Sequence, residues 1–360
     1  ERRQTEAALR RALYALEVGE LEAGEDAVHK AIRMARELGD VASEALAHLR
    51  WGRMLRHHQG DFTAARVHFE RSLALAESAR LVQVEVESLL NISASLHESG
   101  DYSAGLTTLR RLLPYCQGLG DRWLEMSALR YLTYVHKDLG DFVQARAGIE
   151  QTLQFSRVIG YRLWEVMDTC NLARVHHHLG DSQGALELAT QGLRLAEEIG
   201  SPRYQGYAWM SRGLASMALE HHDAAREAFE HSRRIREQTR MPLLELESVT
   251  GLAAVELACG RFHLALAHVE RLLPVLEGPT LVGVEEPAWM WLTCYRVLRA
   301  HGDRRAPPLL ERAHQDLEAR LARIEEEALR RSYLSIPTHR ALLQEWRRLV
   351  EPESPPARPG

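Results

Sequence analysis

The residues best equipped for chemistry are the histidines. The chain of 360 residues holds eighteen, and several are bunched: His57-His58, His176-His177-His178 and His221-His222. Zinc takes ligands that converge from i, i+4 spacing on a helix or from separate elements. Adjacent residues of a helix instead diverge by about 100° each. These bunches therefore predict a solvated or ligand-contacting row, sensitive to pH near about 6–6.5, and no metal or other cofactor. A metalloenzyme built on the histidine clusters is an alternative that this divergence weakens. Cys116, Cys170, Cys259 and Cys294 stand far apart with no C-x-x-C pair, which disfavours a zinc knuckle or a disulfide framework and points to a reducing cytoplasm. Lys30 and Lys137 are the only lysines, in keeping with a GC-rich coding sequence, and no G-x-x-x-x-G-K phosphate loop occurs. No serine–histidine–aspartate order, carboxylate pair or glycine loop stands out, so the chain is not expected to be an enzyme.

The elements that position these residues follow a fixed period. Leu139-Gly140-Asp141-Phe142 reappears forty residues back as Ser99-Gly100-Asp101-Tyr102 and eighty back as Gln59-Gly60-Asp61-Phe62. Forward, it returns as Leu179-Gly180-Asp181-Ser182, then in degraded form at Glu220-His221-His222-Asp223 and Gly260-Arg261-Phe262-His263. Such periodicity is the signature of a repeat array. Within one period, Leu124, Ala128, Leu129, Leu132 and Val135 make a helical stripe, and Ala145, Ile149, Leu153 and Ser156 make a second. Gly140 suits the left-handed residue that ends the first helix, and Asp141 can cap the next. The period predicts helical hairpins at about 1–39, 40–80, 81–120, 121–160, 161–200, 201–240, 241–280 and 281–330. The eighth is irregular, with its last helix expected over about 309–330. Ser335-Ile336-Pro337 interrupts, and 331–350, with Leu342, Leu343, Trp346 and Leu349, is expected to fold back as a capping helix. The proline-rich stretch 351–360 is expected to be disordered.

Bulk composition narrows the field. Hydrophobic residues make up 45%, charged residues 26%, and the net charge is −5. A direct nucleic-acid binder would carry a basic excess, and no apolar run reaches the ~18 residues of a membrane span. Glu1 is not Met and no signal-peptide core follows, so the chain is expected to be cut from something longer.

The small residue at Ala65, Ala145, Ala185, Ala225 and Ala265, with Gly105 in the third copy, is followed by a bulky one at Phe69, Leu109, Ile149, Phe229 and Val269. Asn91-Ile92-Ser93 and Asn171-Leu172-Ala173 mark first helices. On these residues the chain resembles tetratricopeptide-repeat (TPR) proteins, in the long form of about forty residues per unit. The resemblance implies an all-α, right-handed superhelical solenoid of about eight hairpins with a C-terminal capping helix. The end of the chain, Ala328-Leu329-Arg330-Arg331-Ser332-Tyr333-Leu334-Ser335-Ile336-Pro337, is similar to the terminus of bacterial STAND-type signalling ATPases. That implies a sensor module behind a nucleotide-binding switch domain in the full-length protein.

In TPR superhelices the first helices line a concave groove where ligands bind. By that resemblance, one row is Trp51, Asn91, Tyr131, Asn171 and Ser211, and another is Met54, Ala94, Tyr134, Arg174 and Leu214. A third is His57, His97, Lys137, His177 and Met217, with Arg130 beside the first row. Peptide-binding relatives use an asparagine at the Asn91 and Asn171 slot to hold an extended backbone, since an amide donates and accepts at once. The expected groove is Asn91, His97, Arg130, Tyr131, Tyr134, Lys137, Asn171, Arg174 and His177. His136 and His176 take a slot where relatives often carry tyrosine and are expected to pack. The expected function is a protein- or peptide-binding sensor, with a free-standing scaffold or adaptor as the alternative.

Overall fold

The computed structural model describes residues 5, 7–11, 14, 21–56, 61–278, 281 and 284–350. The expected disordered tail at 351–360, His57-His58 and much of the first hairpin lie outside the described residues. What is described is mainly helical, and within each unit many helices pack on the next in the chain. In chain order these are α1 Leu21–Glu37, α2 Val41–Met54, α3 Phe62–Ala79, α4 Val82–Glu98, α5 Tyr102–Leu119, α6 Arg122–Asp138, α7 Phe142–Ile159, α8 Arg162–His178 and α9 Ser182–Glu198. They continue as α10 Pro202–Ala218, α11 His222–Gln238, α12 Pro242–Ala258, α13 Phe262–Leu276, α14 Pro287–Ala300, α15 Ala306–Leu321, α16 Glu327–Ser335 and α17 Pro337–Val350. Among the described residues, no helix is long and apolar enough to cross a membrane.

The Gly-Asp turns work as their chemistry predicts. Asp61, Asp101 and Asp181 each accept a hydrogen bond from the backbone N–H three residues on, at 2.9, 3.3 and 2.9 Å. This satisfies one of the orphan donors of the following helix. Of the two degraded copies, one keeps a glycine in the left-handed conformation, Gly260 at φ 70°, and the other puts Glu220 there at φ 60°.

Two compact units result. The first comprises Glu1–Lys137, Val143–Trp164 and Glu237–Met241; the second comprises Asp138–Phe142, Glu165–Arg236 and Pro242–Gly360. In the first, Ala65 and Ala145 are fully buried, and so are Phe69 and Ile149 four residues beyond them. A Cβ on Gly52 would stand 2.5 Å from the Phe69 ring, so the ring needs that glycine. Ser72 Oγ donates to the Ala45 carbonyl at 2.8 Å and accepts from Ser88 Oγ at 2.9 Å. The second unit repeats the device. Phe229 packs where a Cβ on Gly213 or Gly251 would meet it at 2.5 or 2.6 Å, and Ser232 links Gly206 to Ser248.

The C-terminal end departs from expectation. The helix anticipated over 309–330 stops at Leu321, and a new one begins at Glu327. Between them Ile324 is turned inward, 1% exposed. A straight charged helix would leave that side chain in water, so burying it bends the chain. Pro337 opens α17, so residues 331–335 belong to α16 rather than to the helix expected over 331–350, and α17 packs on α14 and α15 with Leu342 fully buried. Trp346 stacks on His314, ring centroids 4.7 Å apart. The turn 138–142 lies under α16: the Cβ that Gly140 lacks would stand 2.5 Å from the Ser332 carbonyl oxygen.

Candidate ligand-binding residues

In the first unit, α6 spaces Arg130, Tyr134 and Lys137 at i, i+4 and i+7, one face of a helix. Arg130 is buried, and its Nη2 donates to the Tyr134 hydroxyl at 2.6 Å. Its guanidinium lies 5.4 Å from the Tyr134 ring centroid and 4.4 Å from that of Trp164, within cation–π range of both. Trp164 in turn stacks on Trp123 at 4.3 Å. Lys137 Nζ stands 6.0 Å from the Tyr134 ring on the other side, and Tyr131 is half-buried. Asn91 is 1% exposed. Its Nδ2 donates to the Glu87 carbonyl at 2.7 Å and its Oδ1 accepts from Arg56 at 3.1 Å. Its amide therefore bridges neighbouring segments rather than facing a ligand. His97 is half-buried, edge-on to Tyr102.

In the second unit, Arg174 is 5% exposed near the end of α8. Its two terminal nitrogens donate to two of the chain's own carboxylates. Nη1 reaches Glu285, and Nη2 reaches Glu286 at 2.5 Å. Glu285 N–H donates to Glu247 Oε1 on α12 at 2.8 Å. Glu247 Oε2 lies 3.5 Å from Arg236 Nη1, and that arginine sits 5.5 Å from the Tyr207 ring of α10. His178 Nε2 is 3.7 Å from Glu286. Three first helices, α8, α10 and α12, thus converge with the segment before α14 on a buried charged cluster. Asn171, one turn from Arg174, is half-buried, and its Nδ2 donates to the Met167 carbonyl at 3.0 Å. His177 is half-buried beside His178.

The electrostatics follow from this packing. Burial opposes the charge on Arg174, but Glu285 and Glu286 outweigh it and hold the guanidinium well above its ordinary pKa. Burial would raise Glu286; Arg174 and His178 more than offset it, and the carboxyl is held well below the usual range. Glu247 lacks such a dominant partner. Burial, then the neighbouring Glu285 charge, push it up to about 7. Burial and His178 hold His177 down to about 4. Near neutral pH the cluster therefore holds a fixed arginine–dicarboxylate contact and one carboxyl close to its own titration point. Among the described residues, no group of three His, Cys, Asp or Glu is arranged to hold a metal.

Register counting reached Arg174 and missed five partners. Tyr207 and Glu247 lie one helical turn before the row that holds Ser211. Arg236 was visible as an anomaly: its forty-residue column reads Ala76, Cys116, Ser156, Ala196, Arg236, Leu276, where a guanidinium is out of place. Glu285 and Glu286 fall where the period fails, so no register leads to them. The first unit also holds an unforeseen pair, His48 and His68, with Nδ1 atoms 2.9 Å apart.

Residues 165–238 match the tetratricopeptide repeat family model. No curated protein sequence matches the chain. Among solved structures, a Rap protein complexed with Competence and Sporulation Factor is similar at TM-score 0.61 and 13% identity, covering 97% of this chain and 99% of that one. NprR in complex with its cognate peptide NprX is similar at TM-score 0.59 and 12% identity, covering 95% and 98%. The STAND protein with a tetratricopeptide repeat sensor from Pyrococcus horikoshii is similar at TM-score 0.54 and 14% identity, covering 90% of this chain and 49% of that one. The chain thus spans about half the length of that STAND protein. The fold is the tetratricopeptide-repeat solenoid, and residues 165–238 carry the repeats at the level of sequence.

Proposed function

We propose that the chain is a peptide- or protein-binding sensor module, the part of a bacterial, cytoplasmic STAND-type signalling protein that feels a ligand and sets a nucleotide-binding switch. The observation that carries this reading is the charged cluster where α8, α10 and α12 converge. A solenoid needs only apolar neighbour contacts to stand, and the positions matching Arg174 in other copies are Met54, Ala94, Tyr134 and Leu214, none of them charged. Buried charge is costly, so its presence on a first-helix face is explained by recognition rather than by packing. Similarity to NprR and Rap, solved with a peptide and with Competence and Sporulation Factor, supports a peptide as ligand. Similarity to the Pyrococcus horikoshii STAND protein supports the switch context.

The binding set is Arg174, Asn171 and His177 with Tyr207 in the second unit. In the first unit it is Arg130, Tyr131, Tyr134, Lys137 and His97. The mechanism is a change in helix packing on occupancy that passes to the attached switch. The test is capture of partners from an extract of the producing organism, quantified for wild type, Arg130→Ala and Asn171→Ala. Arg194→Ala, on an exposed face of α9, is the control; Glu187 is unsuitable because it lines a surface hollow with Leu172 and His176. The first two variants should lose the ligand about tenfold, the scale of one hydrogen bond to a charged group. Equal loss in the control, or none in the other two, would overturn the assignment.

A further inference from the structure

The forty-residue period breaks between α13, which ends at Leu276, and α14, which begins at Pro287. Glu285 and Glu286 come from that break, and both reach Arg174, 111 and 112 residues away in sequence. Desolvation makes a buried ion pair a poor source of net stability, and an apolar replacement often does as well. Nor is the cluster saturated. The Nε–H of Arg174 has no hydrogen-bond acceptor, and Glu247 Oε2 accepts no hydrogen bond, although both atoms are buried. The carboxylates of Glu285 and Glu286 both meet Arg174, and that of Glu247 stands near Arg236.

An arginine fork suits a carboxylate pair, and here the pair is supplied from inside. We propose that Glu285 and Glu286 are a displaceable internal occupant of an anion site on Arg174, and that the ligand is an acidic peptide whose two adjacent carboxylates exchange for theirs. This rests on the sensor reading above and names the ligand class and the regulation of that site. Glu286 is the residue just before α14, at its N-cap, and α14 packs against α12, α13, α15 and α17. Exchange at Arg174 therefore frees the start of the helix on which the C-terminal elements are built, and binding is read out at that end of the chain.

The experiment is a calorimetric titration of the full chain with two end-blocked peptides, Gly-Gly-Glu-Glu-Gly and its Gln-Gln counterpart. Wild type, E285Q/E286Q and R174Q/E285Q/E286Q are compared, with melting curves to establish that each folds. The triple variant removes Arg174 without leaving Glu285 or Glu286 as an unpaired carboxylate. E285Q/E286Q should bind the Glu-Glu peptide about tenfold more tightly than wild type does, and should prefer it to the Gln-Gln peptide by a similar factor. The triple variant should lose both the gain and the preference. If E285Q/E286Q does not fold, E286Q alone replaces it, and a smaller gain with the same preference is expected. Equal affinity in wild type and the glutamine variant, no preference for Glu-Glu, or retention of the preference without Arg174 each overturns the proposal. Such a failure leaves the sensor reading to be judged by the extract capture, which does not depend on the acidic probe.

Discussion

The Nδ1 atoms of His48 and His68 lie 2.9 Å apart, and the rings stack with centroids at 5.2 Å. That contact requires one ring to donate and the other to accept, so at least the accepting ring is neutral in the folded chain. Burial first, then His68, lower His48 to about 4, with Arg36 and Arg71 adding and Glu44 opposing. Burial and His29 lower His68 as well. The unfolded chain takes up protons at these positions near about 6.5, which the folded chain refuses. Stability contributed by His48 is thus complete above about 6.5 and is lost as pH falls toward 4, at up to about 1.4 kcal/mol per pH unit, and His68 acts in the same direction. Melting temperature followed from pH 7 to 5 should fall in wild type and fall less in His48→Gln. Parallel profiles would contradict the account. The pair was within reach of the sequence: twenty residues is half the repeat, the spacing that sets the two helices of a hairpin side by side. What hid it was attention to runs of adjacent histidines, whose side chains diverge.

At the scale of elements, helix positions were legible because Gly-Asp punctuation and the 3.6-residue stripe agree in every intact copy. The small column Ala65, Ala145, Ala185, Ala225 and Ala265 is buried throughout, at 0–1% exposure. The break at Leu321 was not legible, because 309–330 is rich in helix formers and only tertiary burial of Ile324 decides against one straight helix. Gly140 shows the same limit. Its left-handed conformation, φ 77°, was foreseen from the turn, but the reason no side chain fits comes from Ser332, far along the chain. Gly140→Ala carries both penalties, left-handed strain and a clash at 2.5 Å with the Ser332 carbonyl and 2.8 Å with Ile336. It should cost about 1–3 kcal/mol and loosen α16. Amide exchange over 327–335 should speed up in the variant relative to the turn at Gly180, where a Cβ would meet open space. Unchanged protection of α16 would show that the turn does not hold it.

For the molecule as a whole, periodicity reveals the scaffold and hides the specialisation. Every copy that keeps the rule says only that hairpins stack. The chemistry sits where the rule is broken, at Arg174 and Arg236 in columns of smaller or apolar residues, and at Glu285-Glu286 where the period lapses. The central claim is that ligand is held on the first-helix faces that carry this chemistry. Site-specific photocrosslinking tests it most directly. A benzoylphenylalanine placed at Tyr131 or Tyr207, irradiated in the producing cells, should give one discrete adduct. The same probe at Val158, 79% exposed on α7, should not, and Arg174→Ala should suppress the Tyr207 adduct. An adduct that forms as readily from Val158, or one from Tyr207 indifferent to the loss of Arg174, would contradict the account.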